Sequence, residues 1–112
     1  MYEMVKANGV EAAIGWFKTK GKKSAWGGAN LAVANQLIED GRVDDGLRLM
    51  EFDVALTPEK VWLLKKTART CLNHGRPGKA LAISKKGLEL RPDDEGLRTI
   101  KVEAEQDLKG NN

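Results

Sequence analysis

The stretch ANQLIEDGRVDDGLRLMEFDVALTP (residues 34–58) returns in outline 34 positions later as ARTCLNHGRPGKALAISKKGLELRP (residues 68–92). Laid over each other without a gap, Ala34 falls on Ala68, Leu37 on Cys71, Gly41 on Gly75, Leu47 on Leu81, Leu56 on Leu90 and Pro58 on Pro92. Punctuating Gly and Pro align together with apolar positions, which marks an internal repeat rather than a chance match. Within each unit the apolar spacing is helical. Leu31, Ala34, Leu37 and Ile38 share one helix face. Gly41 stops that helix, because Gly takes the left-handed terminal cap at little steric cost. Val43, Leu47, Met50 and Val54 make the next stripe, closed by Thr57-Pro58. In the second unit Val61, Leu64, Ala68 and Cys71 run up to Gly75, and Pro77 stands where a helix begins. Leu81, Leu88 and Leu90 carry the following helix to Arg91-Pro92.

The flanks extend the pattern. Asp93 or Asp94 is placed to cap a last helix through Leu97, Ile100, Ala104 and Leu108. Upstream, Val10, Ala13, Ile14 and Phe17 make a helical face after a break at Gly9, and Tyr2–Ala7 reads as a short helix before it. Residues 21–28 form the one obvious loop, rich in Gly and Lys. No alternating strand pattern is long enough to trust, so the expected fold class is all-α.

A helix–turn–helix unit of this period resembles the tetratricopeptide repeat (TPR) family. The small residue at the eighth position of that repeat is met by Ala34 and Ala68, the turn Gly by Gly41 and Gly75, the small residue at the twentieth by Gly46 and Ala80, and the closing Pro by Pro58 and Pro92. The chain departs from the pattern at the fourth position (Asn30, then Leu64), the twenty-fourth (Met50, then Ser84) and the twenty-seventh (Asp53, then Gly87). These departures are expected to weaken the first unit's entry and the second unit's outer packing. The resemblance implies a right-handed superhelix of antiparallel helix pairs. Its parts are degenerate N-terminal helices and loop at 1–26, repeats at 27–60 and 61–94, and a capping helix at 95–109, all in a single domain.

The resemblance also implies function, as a non-enzymatic module that binds a partner peptide or helix in the concave groove lined by the first helix of each unit. Carried onto this chain, the groove positions give Leu31, Asn35, Ile38 and Glu39, then Trp62, Lys65, Lys66, Arg69, Leu72 and Asn73, with Thr99 and Glu103 added by the capping helix. The expected partner-binding residues are Asn35, Trp62, Lys65, Lys66, Arg69 and Asn73. Lys65, Lys66 and Arg69 lie about a turn apart beside Trp62, a basic surface with an aromatic anchor that suits an acidic segment or a peptide carboxylate. The plainer reading of the same residues is a solvated helix face. The clamp by which some TPR proteins hold chaperone C-termini is rejected. Asn35 matches one of its positions, while Leu31, Lys66, Gly96 and Ile100 stand at the other four.

The 112 residues suffice for one domain. Hydrophobic residues at 41% and charged residues at 31% suit a packed chain rather than a disordered one. No apolar run is long enough to span a bilayer, and the first residues, Met1 to Lys6, lack the long apolar stretch expected of a secretory signal. A single cysteine, Cys71, excludes an intramolecular disulfide; a single histidine, His74, excludes His-rich zinc sites, and together the counts argue against an enzyme. Cys71 falls on a core position and reads as filler, and His74 reads as a helix-end residue meeting the dipole's negative end. No metal or other cofactor is expected. A free thiol favours the cytoplasm if the chain is complete. The net charge of +3 does not call for nucleic acid. Lys18, Lys20, Lys22 and Lys23 read as solubilising charge, Gly27-Gly28 as a very weak anion signal, and Trp16 and Trp26 as cover for the N-terminal packing. The alternative to a free-standing binder is an accessory TPR segment of a larger bacterial protein, such as a hydrolase, mediating intramolecular or oligomer contacts. Partner identity and oligomeric state are not written in the sequence.

Overall fold

The computed structural model describes residues 2–20 and 30–110, the side chains of 19 and 20 excepted. Among these residues there are seven helices and no strand, so the chain is all-α as expected: α1 (Tyr2–Asn8), α2 (Val10–Lys20), α3 (Leu31–Glu39), α4 (Val43–Leu56), α5 (Val61–Asn73), α6 (Pro77–Leu90) and α7 (Glu95–Gly110). None of these helices is long and apolar enough to cross a membrane. The chain divides into two compact units, Met1–Pro58 and Glu59–Asn112.

The helices stop where the glycines said they would. Gly41 and Gly75 adopt φ of +87° and +74°, and each is followed by the same pair of bonds. Gly41 N–H donates to the Ile38 carbonyl at 3.0 Å and Arg42 N–H to Leu37 at 2.8 Å. In the second unit Gly75 donates to Leu72 at 3.2 Å and Arg76 to Cys71 at 2.8 Å. The two bonds satisfy carbonyls that a helix end would leave orphaned, and they turn the chain into the next helix.

In the first unit, α2 and α3 both pack on α4. Ala13, Ile14 and Phe17 are buried from α2, and the Phe17 ring meets Phe52 edge-to-face at 5.4 Å and 88°. Because two helices cover α4, its buried face is wider than the predicted stripe and adds Leu49, Phe52 and Asp53 to Leu47, Met50 and Val54. A Cβ at Gly46 would lie 2.7 Å from the Ala34 carbonyl oxygen and 2.6 Å from Ile38 Cγ1, so a side chain there would force α3 and α4 apart.

Asn30 and Asp53, two of the departures from the repeat pattern, turn out to be partners. Asn30 is 4% exposed and Asp53 fully buried. The Asn30 backbone N–H donates to Asp53 Oδ2 at 2.9 Å and its side-chain Nδ2 to Oδ1 at 3.1 Å. The carboxylate thereby satisfies a donor at the start of α3, where no side-chain cap exists. The expected weakness at the unit's entry is therefore filled by a bonded polar pair. Burial pushes the Asp53 carboxyl above its ordinary value, against the opposing pull of the two Asn30 donors.

In the second unit, α6 packs against both α5 and α7. Leu63, Leu64, Ala68, Cys71 and Leu72 are buried from α5, and Leu97, Ile100 and Ala104 from α7. The buried face of α6 is Ala80, Ile83, Ser84 and Gly87 rather than the predicted Leu81, Leu88 and Leu90. Small residues serve there because the neighbours come close: a Cβ at Gly87 would sit 2.7 Å from Leu97 Cδ1. Gly87 thus receives Leu97. Leu90 and Leu108, expected on buried stripes, are instead 48% and 39% exposed. The hydroxyl of the fully buried Thr67 finds no partner.

Candidate functional site

Helix α5 presents Trp62, Lys65, Lys66 and Arg69 on one side, at the spacing that brings side chains together on a helix. The structure places all four along a single groove in the second unit, closed on its far side by Gly96 and Ile100 of α7; its volume is about 360 Å³. Trp62 is 51% exposed, an unusual placement for the largest apolar side chain in the unit. A second hollow of about 410 Å³ shares Trp62 and Lys65 and opens at the start of α5, where Lys60, Arg91, Glu59 and Asp94 edge it.

Of the basic trio Lys65, Lys66 and Arg69, two meet acids: Asp94, just before α7, and Glu103, on it. Lys65 Nζ lies 2.9 Å from Asp94 Oδ2. Arg69 makes a forked pair with Glu103, Nη1 to Oε1 at 3.2 Å and Nη2 to Oε2 at 3.1 Å. Asp94 serves twice, since its Oδ1 also accepts the Leu97 N–H at 3.0 Å and so caps α7. The Lys65 ammonium, helped by the Leu97 N–H, holds the Asp94 carboxyl below its ordinary value, and the Arg69 guanidinium does the same for Glu103. Lys66 is exposed, and among the described residues no carboxylate forms an ion pair with it.

The remaining expected positions of the second unit, Leu72, Asn73 and Thr99, do not line this groove. Leu72 is 8% exposed and belongs to the core. Asn73 is exposed at the last residue of α5, about 16 Å along the helix from Trp62. Asn35 is exposed on α3, in the first unit. Leu31 and Ile38 are half-buried, Ile38 lying over Gly46. Thr99 is exposed on α7, and Glu103 acts through Arg69.

Cys71 is 0% exposed, whereas His74, three residues on, is exposed at the helix end, where its carbonyl accepts Arg76 Nη1 at 2.7 Å. They share no accessible surface. Among the described residues no three His, Cys, Asp or Glu side chains come together as metal ligands would. Trp16 is 45% exposed. Lys18 is exposed, while Lys22, Lys23, Trp26, Gly27-Gly28 and the Lys20 side chain lie outside the described residues.

Lys60, Arg91 and Asp94 escaped the sequence reading as site residues because they sit at helix boundaries, outside any periodic face. A signal for one ion pair did exist: Arg69 and Glu103 stand one repeat period apart. Neither models of known protein families nor curated proteins give a match to this chain.

Proposed function

We propose that this chain is a non-enzymatic interaction module of the TPR type that holds a partner peptide or helix in the groove between α5 and α7. The observation that carries this reading is Trp62, half exposed over a groove of about 360 Å³ whose floor, Ile100, is itself buried. Large aromatic side chains with one face packed and one face open are the usual anchors of recognition surfaces. The ion pairs of Lys65 and Arg69 hold the groove's walls in place before any partner arrives, which lowers the ordering cost of binding. The repeat period, the matched turns at Gly41 and Gly75 and the close approach at Gly46 support the TPR assignment. The burial of Cys71 supports a role without covalent catalysis.

The test is a pull-down from lysate of the source cells with the wild-type chain and with Trp62→Ala, after circular dichroism has shown equal helix content. The expected result is a partner retained by the first and lost by the second. A set of partners indifferent to Trp62 would move the contact to another face.

A further inference from the structure

The cations around Trp62 fall into two classes. Lys65 and Arg69 are neutralised by Asp94 and Glu103 of their own unit. Lys60, Lys66 and Arg91 edge the two hollows, and among the described residues none of the three forms an ion pair. Glu59 is the one acid at the rim that is not already engaged. The groove therefore carries a surplus of positive charge at its edges and apolar surface at its centre.

We propose, resting on the groove reading above, that the occupant is an acidic segment carrying one aromatic or large aliphatic anchor. The anchor lies against Trp62 and Ile100, while acidic side chains on either side of it meet Lys60 and Arg91 at one end and Lys66 at the other. Lys60 and Lys66 are separated by about 9 Å along the helix, the span of about three residues of extended chain. The anchor thus stands between two acids about three residues apart. Lys65 and Arg69 are walls of the groove and do not read the ligand. A basic segment would meet the surplus charge unfavourably, and a neutral one would leave the rim cations without a role.

A displayed library of random twelve-residue peptides, selected on the full chain at physiological salt, tests this without presuming a natural partner. The expected outcome is enrichment of peptides with Asp or Glu flanking an aromatic or aliphatic residue. The best of these, synthesised, should bind at least tenfold more weakly to Trp62→Ala and to Lys60→Glu/Lys66→Glu/Arg91→Glu. It should bind unchanged to Lys85→Glu/Lys86→Glu, two exposed lysines of α6 away from the groove. Peptides that need Trp62 but show no acidic preference would overturn the inference and leave the groove reading standing. An acidic preference that survives in the triple variant would also overturn it. Selection of no peptide that depends on Trp62 would overturn both.

Discussion

The two units meet the same packing problem with opposite chemistry. At corresponding positions, 34 residues apart, the first unit buries Asn30 against Asp53, and the second has Leu64 and Gly87. The first solution joins the start of α3 to the end of α4 by directional bonds. The second removes a side chain from α6 so that Leu97 can enter. A polar pair fixes geometry but stakes stability on both members, whereas an apolar contact degrades gradually. The first unit should therefore be the more brittle under substitution and the more sensitive to protonation.

The largest effect expected follows from breaking the polar pair on one side only. Asn30→Leu takes the side-chain donor from the buried Asp53 carboxylate and leaves it only the backbone N–H, which should cost about 2 kcal/mol. Asn30→Leu combined with Asp53→Ala, which gives the first unit the second unit's chemistry, should recover most of that loss. Residue-resolved amide hydrogen exchange over α3 and α4 reads both, and additive losses in the double variant would break the comparison.

Next come the close approaches. Gly46→Ala drives a methyl group against a backbone oxygen that cannot move alone, and should cost about 1–3 kcal/mol in thermal or denaturant unfolding. Gly87→Ala meets only the tip of Leu97 and gains about 1 kcal/mol of helix propensity, so it should cost clearly less. A reversed order would mean that Leu97 is held more rigidly than the backbone of α3.

Thr67→Val sharpens the contrast from the second unit. It exchanges a buried, unpartnered hydroxyl for a methyl group of the same shape, and a gain of about 1 kcal/mol is expected in urea unfolding. Removal of a polar atom thus helps where the atom is unpaired and harms where it is paired.

The smallest effects are those of pH, and their signs differ between the units. Asp53 has its folded pKa raised, so the folded unit binds more protons than the unfolded chain between the ordinary carboxyl value and that raised value. Acidification through this window stabilises the fold at this site, and the contribution is lost as pH rises through the folded pKa. Asp94 and Glu103 have lowered values. Their contribution is present above the ordinary carboxyl range and lost as pH falls through their folded pKa values, below about pH 4. Asp40, which accepts a hydrogen bond from the Tyr2 hydroxyl, is likewise lowered and opposes Asp53 within the first unit. Hydrogen exchange followed from neutrality toward pH 4 should therefore show α3 and α4 gaining protection, and Asp53→Asn should abolish the gain.

Much of this was legible in the sequence, and the rest was hidden for physical reasons. The turns at Gly41 and Gly75 could be read because a left-handed residue after an apolar stripe has few other meanings. The burial of Cys71 followed from its alignment with Leu37. The Asn30–Asp53 pair was missed because each residue is unfavourable alone and only their contact makes sense of either. The clustering of Trp62 with Lys65, Lys66 and Arg69 was legible from helix spacing. The pairing of Lys65 with Asp94 and of Arg69 with Glu103 was not, because a helix face says nothing about what the facing segment brings. Leu90 and Leu108 fit a helical stripe yet stand exposed, because periodicity does not record which members of a stripe a neighbouring helix covers.

The Asn30–Asp53 bond also bears on how such a chain can change over generations. Replacing Asp53 alone strands both Asn30 donors, and replacing Asn30 alone takes one of the two donors from a buried carboxylate, so the polar and apolar solutions are separated by a less stable intermediate. Drift by single steps is blocked there, and a lineage that holds one solution tends to keep it. The difference between the two units is then a historical mark, preserved by the same bonds that keep the helices in place.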